Sequence, residues 1–312
     1  MAKGRNKGRK VNGILLLDKP PKLTSNGALQ LVKRLYKAAK AGHTGSLDPL
    51  ATGVLPLCFG EATKFSQFLL EADKQYVTTI TLGVSTTTGD ADGEIVDTGA
   101  VGSYTIDDIE EVVSQFRGVI DQTPSMYSAV KLNGEPLYKL ARQGIEVERE
   151  SRRVTIYKLD VLRYEADQLE LEIICSKGTY IRSLAEDIGE VLGCGAHISA
   201  LRRIASGPFN VDQVHTLEEL ESLRDTEGLA ALDRLLMPES AAVQDWPAVE
   251  LTEITASWLR QGQAVQIPHA PTEGWVRIFS ESEDDNQGEF LGVGEILGDG
   301  RVAPRRLVAV HH

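Results

Sequence analysis

Short segments with two different hydrophobic periods follow one another along this chain, and this mixture limits the folds it can adopt. Apolar and polar residues alternate from Gln75 to Val84 and again from Leu169 to Ile173, which predicts two half-buried strands. After a turn at Lys177–Gly178, the apolar spacing becomes helical from Ile181 to Leu192. Because strands and helices are mixed without a regular parallel alternation, the pattern favours an α+β fold in which helices flank a largely antiparallel mixed sheet.

The N-terminal third supports the same mixture. The apolar run Gly13–Leu17 predicts a buried strand that ends at the following prolines, and Thr24 or Ser25 can cap a helix that carries Leu29 and Val32. The acidic string from Asp90 to Glu94 has its glycine in the wrong place for a calcium loop and lacks the glutamate at the twelfth position. We therefore interpret this string as a turn.

The 312 residues suggest about two domains. From about Leu251 the chain changes to short β-like runs punctuated by Gly and Pro, and the strongly acidic, helix-prone stretch from Asp212 to Glu253 precedes and overlaps this change. We expect a basic flexible arm over residues 1–10, a larger domain over 11–250 and a small β-rich module over 251–312.

Several classes of protein are excluded at this stage. The longest apolar runs fall far short of the roughly 20 residues that a membrane helix needs, so we expect no membrane partner. No charged and apolar leader opens the chain, and the three cysteines, Cys58, Cys175 and Cys194, are scattered, which favours reduced thiols in a cytoplasmic protein. No CxxC or HExxH pair is present, so we expect no metal ion.

The charge is unevenly distributed. The formal net charge is −12, yet an excess of basic residues is confined to the first 80 positions, including the arm from Lys3 to Lys10 and the helix positions Lys33, Arg34, Lys37 and Lys40. Such a split is compatible with a nucleic-acid footprint on an otherwise acidic protein. A solvated tail is the alternative, and composition does not separate the two.

The densest motif is GHTGSLDPLATGVL, which begins at Gly42. Its glycines permit unusual backbone angles, and Pro49 keeps Asp48 out of a helix interior, so a loop presents the carboxylate. Asp48 could act as a nucleophile, as a general base or only as a turn residue, and an isolated Asp-Pro step is most often a turn.

This string resembles the catalytic motif of the TruB family of tRNA pseudouridine synthases. Further segments resemble the remaining motifs of that family in order, and the similarity covers nearly all of residues 11–312. These segments are GILLLDKPPKLTSN, FGEATKFSQFLLEADKQY, PSMYSAVKLNGEPLYKLARQGIEVE, CSKGTYIRSLAEDIG and HISALRR, while GRVAPRRLV resembles the end of an appended PUA-like domain. The resemblance implies the pseudouridine-synthase fold with a C-terminal PUA-like RNA-binding domain.

The activity implied by the resemblance is isomerisation of uridine-55 in the T-loop of tRNA to pseudouridine, without metal or organic cofactor. The reaction breaks the bond between ribose C1′ and uracil N1, turns the base and rejoins it through C5. Asp48 matches the catalytic aspartate, which could attack C1′, add to C6 or remove the C2′ proton. The partner would be the T-arm stem-loop of tRNA, bound by a monomer.

The resemblance also assigns residues around Asp48. Arg182 matches the arginine that pairs with the aspartate and should keep it anionic. Tyr76 and Tyr180 match two pocket aromatics, of which Tyr76 would stack on the uracil, and Leu201 matches a residue that closes the site. His43 matches an RNA contact that holds the loop open after the base leaves, and we expect Lys19 and Lys64 to contact phosphate or the scaffold.

On periodicity alone, Tyr76 would be an inward aromatic, Leu201 a core residue and His43 a polar loop residue. Two other functions stay open: a non-enzymatic protein that binds or folds tRNA, and an N-glycosylase that would release free uracil. The combination of Asp48, Tyr76, Tyr180 and Arg182 favours chemistry over binding alone. The sequence does not decide whether His311 and His312 are native.

Overall fold

The computed structural model describes residues 8–128, 130–282 and 288–309. The predicted arm therefore lies mostly outside the described residues, as do His311 and His312. In the described ranges the strands are β1 (Gly13–Lys19), β2 (Ala41–His43), β3 (Thr52–Phe59), β4 (Lys74–Leu82), β5 (Val84–Thr86), β6 (Ile95–Thr98), β7 (Gly118–Gln122), β8 (Lys131–Leu132), β9 (Glu135–Pro136), β10 (Arg152–Glu165), β11 (Gln168–Cys175), β12 (Ala196–Ser206), β13 (Phe209–Asn210), β14 (Ala248–Leu251), β15 (Trp275–Ser280), β16 (Phe290–Ile296) and β17 (Val302–Leu307).

The helices of the same ranges are α1 (Ser25–Leu35), α2 (Ser66–Glu71), α3 (Ile106–Ser114), α4 (Leu137–Ala141), α5 (Ile181–Val191), α6 (Leu217–Glu227), α7 (Leu229–Asp233) and α8 (Glu253–Arg260). Short 3-10 turns cover Gly60–Lys64, Val211–Gln213 and Glu239–Val243. The strands predicted at Gly13–Leu17, Gln75–Val84 and Leu169–Ile173 and the helix predicted from Ile181 are confirmed as β1, β4, β11 and α5.

The main sheet has the order β1-β3-β12-β4-β11-β10-β7, with β2 added on β3 and β13 on β12. All of its pairs are antiparallel except β3 with β12. The α+β fold with a largely antiparallel mixed sheet is thus confirmed. The parallel pair places Arg202 opposite Thr52 and Arg203 opposite Gly53, next to the end of the glycine-rich loop.

Strand β1 shows how the sheet divides the core. Leu15 and Leu17 face a core that contains α1, α5 and α6, while Ile14 and Leu16 face a second core with α2 and part of the C-terminal sheet. A strand buried on both faces is continuously apolar, which is why the sequence shows no alternation here.

The outer edge of β1 is covered by residues from much later in the chain. Ile14 exchanges backbone hydrogen bonds with Met237, at 2.9 Å in both directions, and His215 does the same with the β1 backbone beside Leu17. Arg9 forms a bidentate ion pair with Asp233, with Nη2 2.7 Å from Oδ1. The predicted helical character of the acidic stretch is confirmed by α6 and α7, and the stretch closes the first core as well as connecting the two sheets.

The turn interpretation of residues 90–94 is confirmed. Asp90 Oδ1 accepts hydrogen bonds from Thr88 Oγ1 at 2.6 Å and from the backbone N–H of Asp92 at 3.1 Å. The helix-start prediction also holds, since Thr24 caps α1 by accepting from the N–H of Gly27 at 3.0 Å.

The C-terminal strands form a separate sheet of order β14-β15-β16-β17. Its first strand, Ala248–Leu251, pairs in parallel with β15, so a boundary between residues 250 and 251 would cut this strand, and we propose a boundary just before Ala248 instead. The module also contains α8, a helix that the sequence did not predict within this β-rich stretch.

The two sheets are joined by an aromatic cluster formed by Phe68, Trp246 and Trp275. The ring of Phe68 on α2 lies 4.9 Å from that of Trp246 and 5.4 Å from that of Trp275, both edge-on, and the two tryptophan rings are 5.4 Å apart. Helix α2 therefore links the main sheet to the C-terminal module.

None of the helices in the described part of the chain is long and apolar enough to cross a membrane. Cys58, Cys175 and Cys194 are buried and free, as the scattered cysteines predicted.

Candidate active site

The glycine-rich motif forms the loop between β2 and β3, and neighbouring elements hold it on both sides. Ser25 at the start of α1 accepts a hydrogen bond from the N–H of Leu47 at 2.7 Å and donates to its carbonyl at 3.1 Å. The N–H of Lys22 donates to the carbonyl of Pro49 at 2.8 Å. Gly45 has φ +77°, a conformation that favours glycine. Asp48 is therefore presented from a fixed loop.

This loop forms one wall of a cavity of about 330 Å³. Residues from α2, β4, β12, the β11–α5 connection, the start of α5 and the segment that precedes β8 complete it. The lining residues are Gly45, Ser46, Leu47, Asp48, Leu70, Lys74, Tyr76, Ser128, Ser176, Gly178, Thr179, Tyr180, Ile181, Arg182, Leu201 and Arg203. Five predicted site residues, Asp48, Tyr76, Tyr180, Arg182 and Leu201, thus share one cavity.

Asp48 and Arg182 form the polar centre of the cavity. Arg182 Nε lies 2.9 Å from Asp48 Oδ2, and only 5% of the arginine side chain is exposed against 40% for the aspartate. The guanidinium also donates to the carbonyls of Thr88 at 2.7 Å and Tyr127 at 3.0 Å, and Asp90 Oδ2 lies 3.9 Å away. A buried cation held by three groups orients the carboxylate towards the cavity.

Burial raises the pKa of the Asp48 carboxyl, and the charge of Asp90 acts in the same direction. The Arg182 cation and, more weakly, Lys19 oppose this rise. The sequence-based expectation considered only the arginine. The structure adds desolvation, which is the larger effect and raises the pKa.

The aromatic and apolar walls come from three different elements. Tyr76 on β4 and Leu201 on β12 are each 9% exposed, at the cavity surface. Tyr180 immediately precedes α5, where Gln122 fixes its backbone: the amide side chain accepts from the Tyr180 N–H at 2.7 Å and donates to the Tyr180 carbonyl at 2.9 Å. The walls and the Asp48 loop enclose a site with one carboxylate and two phenols.

His43 does not line this cavity. It lies on β2, where it pairs with Leu57, and its Nδ1 is buried without a hydrogen-bond partner among the described residues. Burial lowers its pKa, and the nearby Arg203 charge acts in the same direction, so the imidazole is held in its neutral form.

Of the two predicted lysine contacts, Lys19 belongs to the scaffold. It has no exposed surface, and its ammonium donates to the carbonyls of Pro20 at 2.8 Å, Leu23 at 2.7 Å and Pro49 at 3.4 Å. It therefore cannot reach a phosphate, and it clamps the loop behind Asp48. Lys64 donates to the carbonyl of Leu307 at 2.9 Å and pairs with Glu61, which ties the main sheet to the C-terminal module.

Sequence reasoning missed two buried cations of this site, Lys74 and Arg203. Lys74 Nζ donates to the carbonyls of Leu69, Leu70 and Ala72, where α2 ends. Arg203 is 1% exposed and lies beside Tyr76. Both residues lie within segments that resemble the family motifs, and this resemblance was the one signal that could have identified them. An alternating pattern does not indicate that a charged side chain points inwards.

Part of the basic surface predicted near the N-terminus is exposed. Lys10, Arg34, Lys37 and Lys40 are exposed near the N-terminal end, whereas Arg9 is occupied by its ion pair. The part of the arm before residue 8 lies outside the described residues.

Three family models match consecutive parts of the chain. They are "TruB family pseudouridylate synthase (N terminal domain)" over residues 33–181, "tRNA pseudouridylate synthase B C-terminal domain" over 182–244 and "Pseudouridine synthase II TruB, C-terminal" over 247–308. The last match begins close to the first residue of the C-terminal sheet.

Among similar proteins, "tRNA pseudouridine synthase B" of Ectopseudomonas mendocina is 55% identical over 308 residues, which cover 99% of each chain. The protein of the same name from Coxiella burnetii is 56% identical over 300 residues and 96% of each chain. A solved Cbf5-Nop10-Gar1 complex contains a chain with a TM-score of 0.70 and 30% identity, covering 91% of this chain and 78% of that one. An H/ACA RNP bound to a substrate RNA gives a TM-score of 0.71 at 26% identity, covering 95% and 84%.

Proposed function

The chain belongs to the TruB family of pseudouridine synthases, and we propose that it converts uridine-55 in the T-loop of tRNA to pseudouridine. Relatives at about 55% identity over nearly the full length carry the name tRNA pseudouridine synthase B, which supports tRNA as the substrate. The observation that carries the chemistry is the Asp48 carboxylate, held 2.9 Å from Arg182 at the wall of a cavity that two tyrosines line.

The site matches the demands of the reaction. The glycosidic bond has to break, and the freed uracil has to turn without escaping, so a nucleophile or base has to stand beside a closed pocket. The cavity, at about 330 Å³, lies within the usual range for ligand sites of roughly 300–1,000 Å³. Asp48 supplies the reacting carboxylate, Arg182 orients it, and Tyr76, Tyr180 and Leu201 form the walls against which the uracil packs.

A uridine inside a folded loop cannot be reached by Asp48 until the nucleotide leaves the stack. Extrusion costs a few kcal/mol, which stacking on Tyr76 and hydrogen bonds to the uracil edge offset. Lys10, Arg34 and Arg306 are exposed and can contact phosphates, so the main sheet and the C-terminal module would both hold the tRNA. In the family the C-terminal module is PUA-like, and we assign it an RNA-binding role here.

The family resemblance implies a monomer, and we propose that the protein acts as one. A tRNA substrate and three free buried cysteines support a cytoplasmic location. His43 does not line the cavity, and we assign it to the support of the loop that RNA contacts.

The test is incubation of purified protein with unmodified tRNA in the presence of a metal chelator, followed by pseudouridine-specific chemical mapping. Conversion at position 55 with unchanged RNA mass supports the proposal, whereas release of free uracil would identify a glycosylase. Binding without conversion would identify a protein that only binds or folds tRNA.

A matched pair of variants identifies the carboxylate. Asp48→Asn should abolish conversion and change tRNA affinity by less than about tenfold, because the amide keeps the shape of the side chain and loses only its charge. Asp160→Asn makes the same chemical change at an ion pair on β10 outside the cavity, 3.2 Å from Lys158, and should convert tRNA at the unaltered rate. Turnover by Asp48→Asn would overturn the assignment.

A further inference from the structure

Arg203 is the largest fully buried side chain of the described residues, and it is a cation. Its Nε donates to the carbonyl of Val54 at 2.8 Å and its Nη2 to the carbonyl of Gly45 at 3.1 Å. No carboxylate within the described ranges forms an ion pair with it. Burial of an arginine without an anion is costly, so a chain that keeps one there has a use for it.

The two acceptors of Arg203 stand at the two ends of the loop that carries Asp48. Gly45 lies three residues before the aspartate, and Val54 lies on β3 after the loop has returned to the sheet. At Gly53, a Cβ atom would lie 2.2 Å from the Arg203 carbonyl, so the backbones of β3 and β12 meet here in close contact. One guanidinium therefore joins the two ends of the Asp48 loop through hydrogen bonds.

The same side chain also stands beside Tyr76. The two residues are Cα partners in the β12–β4 register, and both line the cavity. The positive charge of the guanidinium opposes the rise that burial causes in the pKa of the Tyr76 phenol, in keeping with their pairing in the sheet. Arg203 thus holds the aspartate loop through the Gly45 carbonyl and lies beside the tyrosine, and within the described ranges it forms no ion pair with Asp48.

We propose that Arg203 is a positioning residue, which fixes the phenol of Tyr76 and the loop of Asp48 at a constant separation across the cavity. The inference rests on the proposed isomerisation, because it concerns the two side chains of the cavity that would react with the uridine and stack on its base. A guanidinium suits the task, since its planar fork directs five N–H donors in fixed directions, whereas a lysine offers a single charged centre.

The experiment compares Arg203→Lys with Arg202→Lys. Arg202 is the adjacent residue and undergoes the same chemical change, but its side chain points away and pairs with Asp18 at 2.8 Å. Single-turnover conversion is measured at saturating tRNA, together with tRNA affinity and the thermal midpoint. We expect Arg203→Lys to lower the single-turnover rate by about 10- to 100-fold with affinity within about threefold, and Arg202→Lys to leave the rate unchanged.

A double-mutant cycle with Tyr76→Phe separates positioning from a general structural role. If Arg203 acts partly through the phenol, the fold-loss in single-turnover rate caused by replacing Arg203 should be at least five times smaller in the Tyr76→Phe protein than in the wild type. The proposal is overturned if the rate of the double mutant falls by the product of the two single-mutant effects. It is also overturned if the rate of the Arg203 variant falls only in proportion to a lower thermal midpoint. Arg203→Gln, which keeps a donor and removes the charge, serves the same cycle if the buried lysine prevents folding.

The wild-type protein distinguishes this inference from the proposed function. If the wild type does not convert tRNA, the isomerase proposal fails. If the wild type converts tRNA and the cycle is multiplicative, only the role of Arg203 fails.

Discussion

Replacing Phe68 by alanine should destabilise the protein by about 2–4 kcal/mol. The phenyl ring makes two edge-on contacts, with Trp246 and Trp275, and each such pair contributes about 0.5–1.5 kcal/mol beyond burial of its area. Because the side chain is only half-buried, loss of its apolar area adds roughly 1 kcal/mol, below the range of about 3–5 kcal/mol for a fully buried phenylalanine.

For a protein of this size, that loss should lower the thermal midpoint by roughly 3–6 °C in a calorimetric or circular-dichroism melt. Trp258→Ala is the control, because Trp258 is also a large aromatic, on α8 of the C-terminal module, but 48% exposed and without a ring contact in the described residues. It should shift the midpoint by no more than about 2 °C.

A Phe68→Ala midpoint that equals the Trp258→Ala midpoint would refute the reasoning. It would mean that the two sheets are not held together by the aromatic cluster. The functional link is Leu70, which lies on the same helix as Phe68 and lines the cavity, so we also expect the variant to convert tRNA more slowly than the control.

The remaining predictions concern the site and its support. Tyr76→Leu should reduce single-turnover conversion more than tRNA affinity, and an unchanged rate would assign Tyr76 to the core. Because burial raises the pKa of the Asp48 carboxyl, the rate at saturating tRNA should begin to fall on the acid side at a higher pH than for an ordinary aspartate of pKa about 3.9, and a rate that is flat down to pH ~4 would contradict this. Burial lowers the pKa of Lys19 to about 8, so the folded protein holds fewer protons than the unfolded chain above that pH and up to about 10.5. The free energy of unfolding measured in urea should therefore rise with pH over this window, less steeply in Lys19→Gln than in the exposed-site control Lys40→Gln. Deletion of residues 248–312 should weaken tRNA binding in a gel-shift assay and lower the thermal midpoint, because the second core loses part of its cover; an unchanged midpoint would show that the module is only tethered.

The larger elements could be predicted from the sequence because their hydrophobic periods are undisturbed. Strands β4 and β11 alternate cleanly, and α5 keeps a helical apolar face. Helix α8 was missed because it is short and lies among Gly- and Pro-rich segments, although Thr252 caps it by accepting from the N–H of Thr255 at 3.3 Å. Strand β14 was not predicted to join the C-terminal sheet for a related reason: it pairs with a strand more than twenty residues later, and no local pattern indicates such a pair.

The site could be assembled from the sequence only through the family resemblance. Asp48 and Arg182 are 134 positions apart, and nothing in their separate contexts predicts the ion pair that joins them. The adjacent arginines on β12 show the same limit of sequence reasoning. Arg202 points outwards and Arg203 inwards, but strand alternation alone is equally consistent with the reverse arrangement. The direction of the Asp48 pKa shift could not be predicted from the sequence, because desolvation of the carboxyl depends on how the loop packs in the folded protein.

The covering of β1 by residues 215 and 237 has a consequence for biosynthesis. The first strand leaves the ribosome long before the segments that seal its edge have been made, and until then it offers unpaired N–H and C=O groups to any other extended chain. In a nascent polypeptide stalled before Met237, part of this strand edge would remain unpaired and exposed. Truncated products of that length should accordingly aggregate or require chaperones, even though they already contain every residue that lines the cavity.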